Sequence, residues 1–305
     1  MHYGSLGFDY IVGMIRLDCG PMQAWVRPQG AELSSLCHEG FEYLWSGDAA
    51  YWGKQSPVLF PIVGSLRGGL YRHRGLTYAL PRHGFARERP FQVRVISGRE
   101  VHFSLEDDEA SRLVYPFRFQ LRIRYLLRET GLEVEYAVAN PSEGTMYFSI
   151  GGHPAFNLPM EPGLAYGDYH LSFEQPETVG RWKLRDGLLL HEEPGFLQAS
   201  DGVPLSHGLF AEDAVVLKGL RSSHLTLRSD KGGRGLRFGI GGWPHLGLWA
   251  PVGAPFLCIE PWQGHADPVD ADGELSRKPG IVPLEPGGCW ERSWTVEPFA
   301  EKYIQ

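Results

Sequence analysis

The sequence predicts an all-β protein, a sandwich or barrel of many short strands gathered into one domain over residues 1–305. Three observations predict it. Apolar residues recur with a period of two in several stretches, helical periodicity is scarce, and 39 glycines and 23 prolines are scattered along the whole chain. Short strands joined by frequent turns require that distribution of turn residues. No internal repeat, low-complexity tract or linker interrupts the pattern.

Taken in order, Ile11 to Asp18, Met22 to Arg27 and Ala31 to His38 read as three consecutive strands. Phe91 to Ser97 and Val101 to Leu105 form a hairpin about Gly98-Arg99. The acidic run Glu106-Asp107-Asp108-Glu109 reads as a solvated turn, and Asp107 to Leu113 has room for a turn or two of helix. The strongest alternation follows. Phe119, Leu121, Ile123, Tyr125 and Leu127 alternate with Gln120, Arg122 and Arg124, and Leu132, Val134, Tyr136 and Val138 resume the pattern after Glu129-Thr130-Gly131. Pairing Leu127 with Leu132, Tyr125 with Val134, Ile123 with Tyr136 and Leu121 with Val138 puts every large apolar side chain on one face. The same register sets Arg124 opposite Glu135, a favourable cross-strand pair. A slip of one residue would expose the apolar set, so the register is strongly specified. Arg128 to Gly131 makes the loop, with Gly131 expected at a positive φ angle. Leu225 to Arg228 and Leu236 to Ile240 flank a turn at Lys231-Gly232-Gly233-Arg234-Gly235.

Composition narrows the function. The formal net charge of −7 argues against a nucleic-acid partner. No apolar run has the length of a membrane span, and no secretory leader is visible at the N-terminus. Cys19, Cys37, Cys258 and Cys289 are widely spread, without zinc-ligand spacing, and read as reduced thiols of a cytoplasmic protein.

Chemistry concentrates where titratable residues stand among glycine, proline and aromatic residues: Pro81-Arg82-His83-Gly84-Phe85-Ala86-Arg87, Gly151-Gly152-His153-Pro154-Ala155-Phe156-Asn157, and Cys258-Ile259-Glu260-Pro261-Trp262. Phe60-Pro61-Ile62-Val63-Gly64-Ser65-Leu66-Arg67 has a similar character. His83 and His153 sit beside glycine at expected strand ends, where an imidazole reaches a cleft. Glu260 closes the apolar run from Pro255 to Ile259, so a strand delivers a carboxylate into a poorly solvated place. Burial raises a carboxyl pKa toward neutrality, and a nearby carboxylate favours a protonated histidine. Trp262, Trp249, Phe85 and Phe156 are surfaces of the kind that stack on a sugar ring. Each signal also has a plain structural reading. A histidine beside glycine is more often a turn residue, buried tryptophans are more often core, and Arg87 can simply neutralise Glu88. The residues alone lead to a cleft with two histidines and a carboxylate.

The segments together, in this order, resemble the aldose 1-epimerase (galactose mutarotase-like) family, and most closely its LacX-type branch. The likeness runs from Pro57–Gly64 through His83–Arg87 and Gly152–Asn157 to Cys258–Trp262, with Asp213–Leu217 and Trp249–Pro251 falling in sequence. It implies a large antiparallel β-sandwich, the supersandwich, and an isomerase that interconverts the α and β anomers of a free aldose without metal or cofactor. By that resemblance Glu260 is the general base, His153 the general acid, and His83 a hydrogen-bonding group at the ring-opening centre. Arg67 and Asp213 would fix ring hydroxyls, with Arg67 two residues beyond Ser65, where family members often carry arginine. Arg87 and Trp262 complete the expected substrate contacts. The expected partner is a small sugar, and the expected assembly a monomer or homodimer. Related hexose-6-phosphate epimerases share the His-Gly-Phe-Ala-Arg segment, so Arg82 and Arg87 keep a phosphosugar open. A sugar-binding protein without turnover is a further reading, and His83, His153 and Glu260 could in principle hold zinc. No Gly-x-Ser-x-Gly segment supports a serine hydrolase.

Overall fold

The hairpin with the strongest alternation forms as predicted. Strands Gln120–Arg128 and Gly131–Ala139 pair antiparallel with Leu127 opposite Leu132, Tyr125 opposite Val134, Ile123 opposite Tyr136 and Leu121 opposite Val138. All eight of these side chains are buried. On the other face Arg124 stands opposite Glu135 and bonds Glu100 Oε1 at 2.9 Å. Gly131, however, does not adopt a positive φ angle. Glycine is required there because a Cβ would lie 2.3 Å from the Val296 carbonyl oxygen of the adjoining strand.

The computed structural model describes residues 13–301. Fifteen strands build one long antiparallel sheet. From its edge at Gln92–Ser97 it runs through Glu100–Glu106, the hairpin above, Cys289–Ala300, Arg234–Gly239, His224–Ser229 and Tyr169–Arg185. It continues through Val215–Lys218, His245–Trp249, Phe256–Gln263 and Ile150–Gly152 to Val58–Leu59. A separate four-stranded sheet, Ile15–Cys19, Met22–Arg27, Glu32–His38 and Phe41–Glu42, shares a buried core with it. Tyr125 ties the two together: its buried hydroxyl donates to the Ala31 carbonyl at 2.7 Å, which satisfies the polar end of an otherwise apolar side chain. Small two-stranded ribbons, Leu70–His73 with Leu76–Ala79 and Met146–Phe148 with Val282–Leu284, complete the pairing. No helix among the described residues is long and apolar enough to cross a membrane.

Most predicted elements are found within a residue or two. Ile11 and Val12 of the first predicted strand lie outside the described residues, and the strand is observed over Ile15–Cys19. Two readings need correction. The acidic run is largely solvated but is no turn: it leads from the end of strand Glu100–Glu106 into a short helix. Asp108 caps the helix Glu109–Val114, accepting from Ser111 N at 2.7 Å while its own N–H donates to Ser111 Oγ at 2.8 Å. Asp107 accepts from Phe119 N at 3.1 Å and pairs with Arg112. The longest strands, Tyr169–Arg185 and Leu188–Pro204, are absent from the sequence reading. Four register shifts break their pairing, and each shift interrupts the period-two alternation that reveals a strand. The first of them passes from His224–Ser229 at its start to Val216 at Trp182, bridging two parts of the large sheet.

Candidate active site

At the Val58–Leu59 end of the large sheet the strands become very short, and a cavity of ≈ 340 Å³ opens beside them. Trp52, Arg82, His83, Arg87, His153, Asp213, Ala214, Trp249, Glu260 and Trp262 line it. Short strands suit such a place, because the chain can turn inward and leave side chains unpaired above a rigid floor.

Strand Phe256–Gln263 supplies Glu260, opposite Gly247 of His245–Trp249. Gly247 is needed for close approach: a Cβ there would stand 2.5 Å from the Trp262 ring, which lies across it. Glu260 is 1% exposed, and its Oε2 finds no hydrogen-bond partner among the described residues. His153 Nε2 stands 3.2 Å from that oxygen. The His153 ring stacks on Trp52, with centroids 4.7 Å apart at 27°, and meets Trp249 and His83 edge-on, both at 5.8 Å.

His83 is fixed by the backbone. It sits at φ 68°, its N–H donates to the Gly64 carbonyl at 2.9 Å, and Gly64 N–H donates back to its Nδ1 at 3.1 Å. A neutral ring accepting at Nδ1 carries its proton on Nε2. Arg82 Nε stands 3.2 Å from that Nε2. One nitrogen cannot both carry a proton and accept one, so the half-exposed arginine yields to the backbone-held ring, and two donors converge on one place. Arg82 Nη2 also reaches Asp213 Oδ1 at 3.8 Å.

Burial governs the charges. It pushes the Glu260 carboxyl well above the usual carboxylate range, opposed by the positive charge of Arg82. It lowers His153 to about 3 and His83 well below the ordinary histidine value, with Arg82 and Arg87 adding to both and His153 also lowering His83. The expectation that a neighbouring carboxylate keeps a histidine protonated is therefore corrected. Desolvation works against both charged forms, the Glu260 carboxylate and the His153 imidazolium.

Of the residues singled out from sequence, Glu260, His153, His83, Asp213, Arg87 and Trp262 meet in the cavity. Arg67 does not. Its guanidinium donates to the Ala271 carbonyl at 2.9 Å and faces a separate surface hollow with Tyr71, Arg72 and Asp272. The arginine beside the acid–base pair is Arg82. Phe156 belongs to the core, packed on Phe238, and Phe85 packs against Phe60, Tyr115 and Phe119. Trp52 went unremarked in the sequence. The segments were selected by titratable residues among glycine, proline and aromatic residues, and Tyr51-Trp52-Gly53 carries no titratable histidine or carboxylate to draw notice. The side chains placed to hold a metal are not the two histidines and Glu260. They are His153, Cys258 and Glu260, each with a ligand atom within 4.8 Å of the others.

The family model for aldose 1-epimerase matches residues 14–281. Protein LacX (plasmid) of Lactococcus lactis subsp. lactis is 36% identical over 278 residues, 88% of this chain and 93% of the relative. Among solved structures, a galactose mutarotase related enzyme from Lactobacillus acidophilus superposes with a TM-score of 0.89 at 34% identity, covering 95% of this chain and 98% of that one. A galactose mutarotase-like protein from Lactobacillus casei gives 0.86 at 30% identity, covering 94% and 100%.

Proposed function

The chain belongs to the aldose 1-epimerase family, and from that premise we propose that it is a mutarotase interconverting the α and β anomers of a free aldose. The observation that carries this reading is the pairing of His153 Nε2 with Glu260 Oε2 at 3.2 Å, both buried, with no hydrogen-bond partner for Glu260 Oε2 among the described residues. Ring opening removes a proton from the anomeric hydroxyl and delivers one to the ring oxygen. Both oxygens are bonded to C1, so an acid and a base must stand side by side.

Burial works against charge on both members of the pair, and the reaction starts from the carboxylate of Glu260 beside the imidazolium of His153. A bound sugar assists by donating its anomeric hydroxyl to Glu260, and Arg82 stabilises the carboxylate. Glu260 then takes the hydroxyl proton as His153 protonates the ring oxygen, and the C1–O5 bond breaks. The aldehyde turns about C1–C2 and recloses with the roles exchanged. His83, through Nε2–H, and Arg82 donate to the sugar oxygens, Asp213 accepts from a hydroxyl, and Trp52, Trp249 and Trp262 wall the apolar faces of the ring. Arg87 adds positive charge to the rim. No step requires a cofactor. A cytoplasmic setting accords with the four free cysteines.

Arg82 and Arg87 favour a second reading, in which the sugar carries a phosphate. A sugar-binding protein without turnover would have no use for the buried pair. Polarimetry of freshly dissolved α-D-glucose, α-D-galactose and their 6-phosphates tests these readings. Acceleration over buffer with a free sugar supports the first, and acceleration with the phosphates alone supports the second. Acceleration with none leaves a binding protein.

A further inference from the structure

We propose that the acid–base pair doubles as an inhibitory site for a soft divalent cation, zinc above all, completed by the thiol of Cys258. Cys258 and Glu260 stand two residues apart on strand Phe256–Gln263, so their side chains share one face. His153 approaches from the neighbouring segment. A ring nitrogen of His153, the Cys258 sulfur and a Glu260 oxygen lie within 4.8 Å of one another, and all three residues are buried.

Three features suit zinc. Two ligands held at about 2.0–2.1 Å by a tetrahedral zinc stand about 3.3 Å apart, and His153 Nε2 and Glu260 Oε2 are already 3.2 Å apart. Only Cys258 must close in, through a side-chain rotation. A thiolate, a carboxylate and a neutral imidazole carry two negative charges against the ion's two positive ones, so the filled site is neutral and burial does not penalise it. The mix of sulfur, nitrogen and oxygen donors selects zinc over magnesium or calcium, and the fourth position opens on the cavity. Glu260 Oε2 is buried and without a hydrogen-bond partner among the described residues, so it is available to a ligand. Cys258 itself does not line the sugar cavity.

The consequence for catalysis rests on the mutarotase reading; the binding does not. With zinc bound, Glu260 cannot accept a proton and His153 cannot deliver one, so turnover stops until the ion is removed.

The test titrates the full-length protein with Co²⁺, a spectroscopic stand-in for zinc, and in parallel follows mutarotation against Zn²⁺. The expected result is one thiolate-to-cobalt charge-transfer band per chain, displaced by zinc, with inhibition over the same zinc range and recovery on adding EDTA. In Cys258→Ala the band disappears and half-inhibition requires at least about tenfold more zinc, the low end of what losing even an outer partner costs a site. No band in the unmodified protein overturns the proposal, whether or not Cys258→Ala folds. So does inhibition of equal strength in both proteins, which would place the ion elsewhere. If neither sugars nor sugar phosphates are turned over, the cobalt band still decides the metal site while the mutarotase reading alone fails.

Discussion

Two buried pairs, each a carboxyl group beside a basic side chain, are built to opposite ends. Asp267 and Lys278 meet at 2.6 Å, each with 3% of its side chain exposed. Every neighbour completes them: Lys278 also donates to the His265 carbonyl at 2.7 Å, and Asp267 accepts from Arg67 N at 2.9 Å. Glu260 and His153 meet at 3.2 Å with similar burial, yet Glu260 Oε2 and His153 Nδ1 find no hydrogen-bond partner among the described residues. The histidines repeat the contrast. His265 donates from Nδ1 to Ala266 O at 2.7 Å and accepts from Lys218 at Nε2, 3.1 Å away. A buried polar group that is fully partnered holds the fold, whereas one left short is held ready for something that arrives later.

The sharpest break in that comparison comes from Glu260→Gln. Removing the base should lower the mutarotation rate by about 10²–10⁴-fold, the range of general acid–base contributions. Stability should hardly fall, because a neutral amide replaces a group that burial already disfavours as an anion. Polarimetry and urea unfolding on the same sample check both halves, and a large stability loss with an intact rate would reverse the assignment. Asp267→Ala should behave oppositely. Leaving Lys278 buried and unpaired should cost about 3–5 kcal/mol of unfolding free energy. The residual rate, measured well below the new midpoint, should fall far less than in Glu260→Gln.

The same contrast explains what could be read from sequence. The hairpin Gln120–Ala139 was legible to the residue because one face is dry and the other wet, and a slip would invert them. Glu260, His153 and His83 were legible because titratable residues stand where strand patterning stops. The choice between Arg67 and Arg82 was not. It depends on which way the chain turns after Gly64, and Asp267 settles that through the backbone N–H of Arg67. Nor does sequence show that Lys278 pairs with Asp267, or that Trp52 covers His153, since each contact joins segments whose approach only the tertiary fold decides. The bulged strands from Tyr169 to Pro204 escaped because their register shifts break the alternation that reveals a strand.

Acid stability sharpens the comparison further. Burial lowers His265 to about 3, with Lys218, His245 and Lys278 adding to the effect, and lowers His153 to about 3. Unfolded histidine titrates near 6.5. Between about pH 6.5 and 3 the unfolded chain therefore binds protons that the native protein does not, so stability falls as pH is lowered through that window and is flat above it for these groups. Each histidine contributes a slope of up to about 1.4 kcal/mol per pH unit. His265→Gln and His153→Gln should each flatten the urea midpoint's dependence on pH by a comparable amount. Only the second should abolish mutarotation.

The smallest effect belongs to a pair that is complete but wet. Arg124 bonds Glu100 at 2.9 Å and approaches Glu133 and Glu135 at 3.8 and 3.6 Å, on the outer face of the hairpin. Three carboxylates around one guanidinium would dominate a dry interior. Here roughly a quarter to a third of each side chain is exposed, so solvent screens the attraction and the unpaired acids can turn to water. Arg124→Ala should therefore lower stability by no more than about 1 kcal/mol, and less in 1 M salt than in dilute buffer. A loss approaching that of Asp267→Ala, unchanged by salt, would mean that burial does not separate the two kinds of pair.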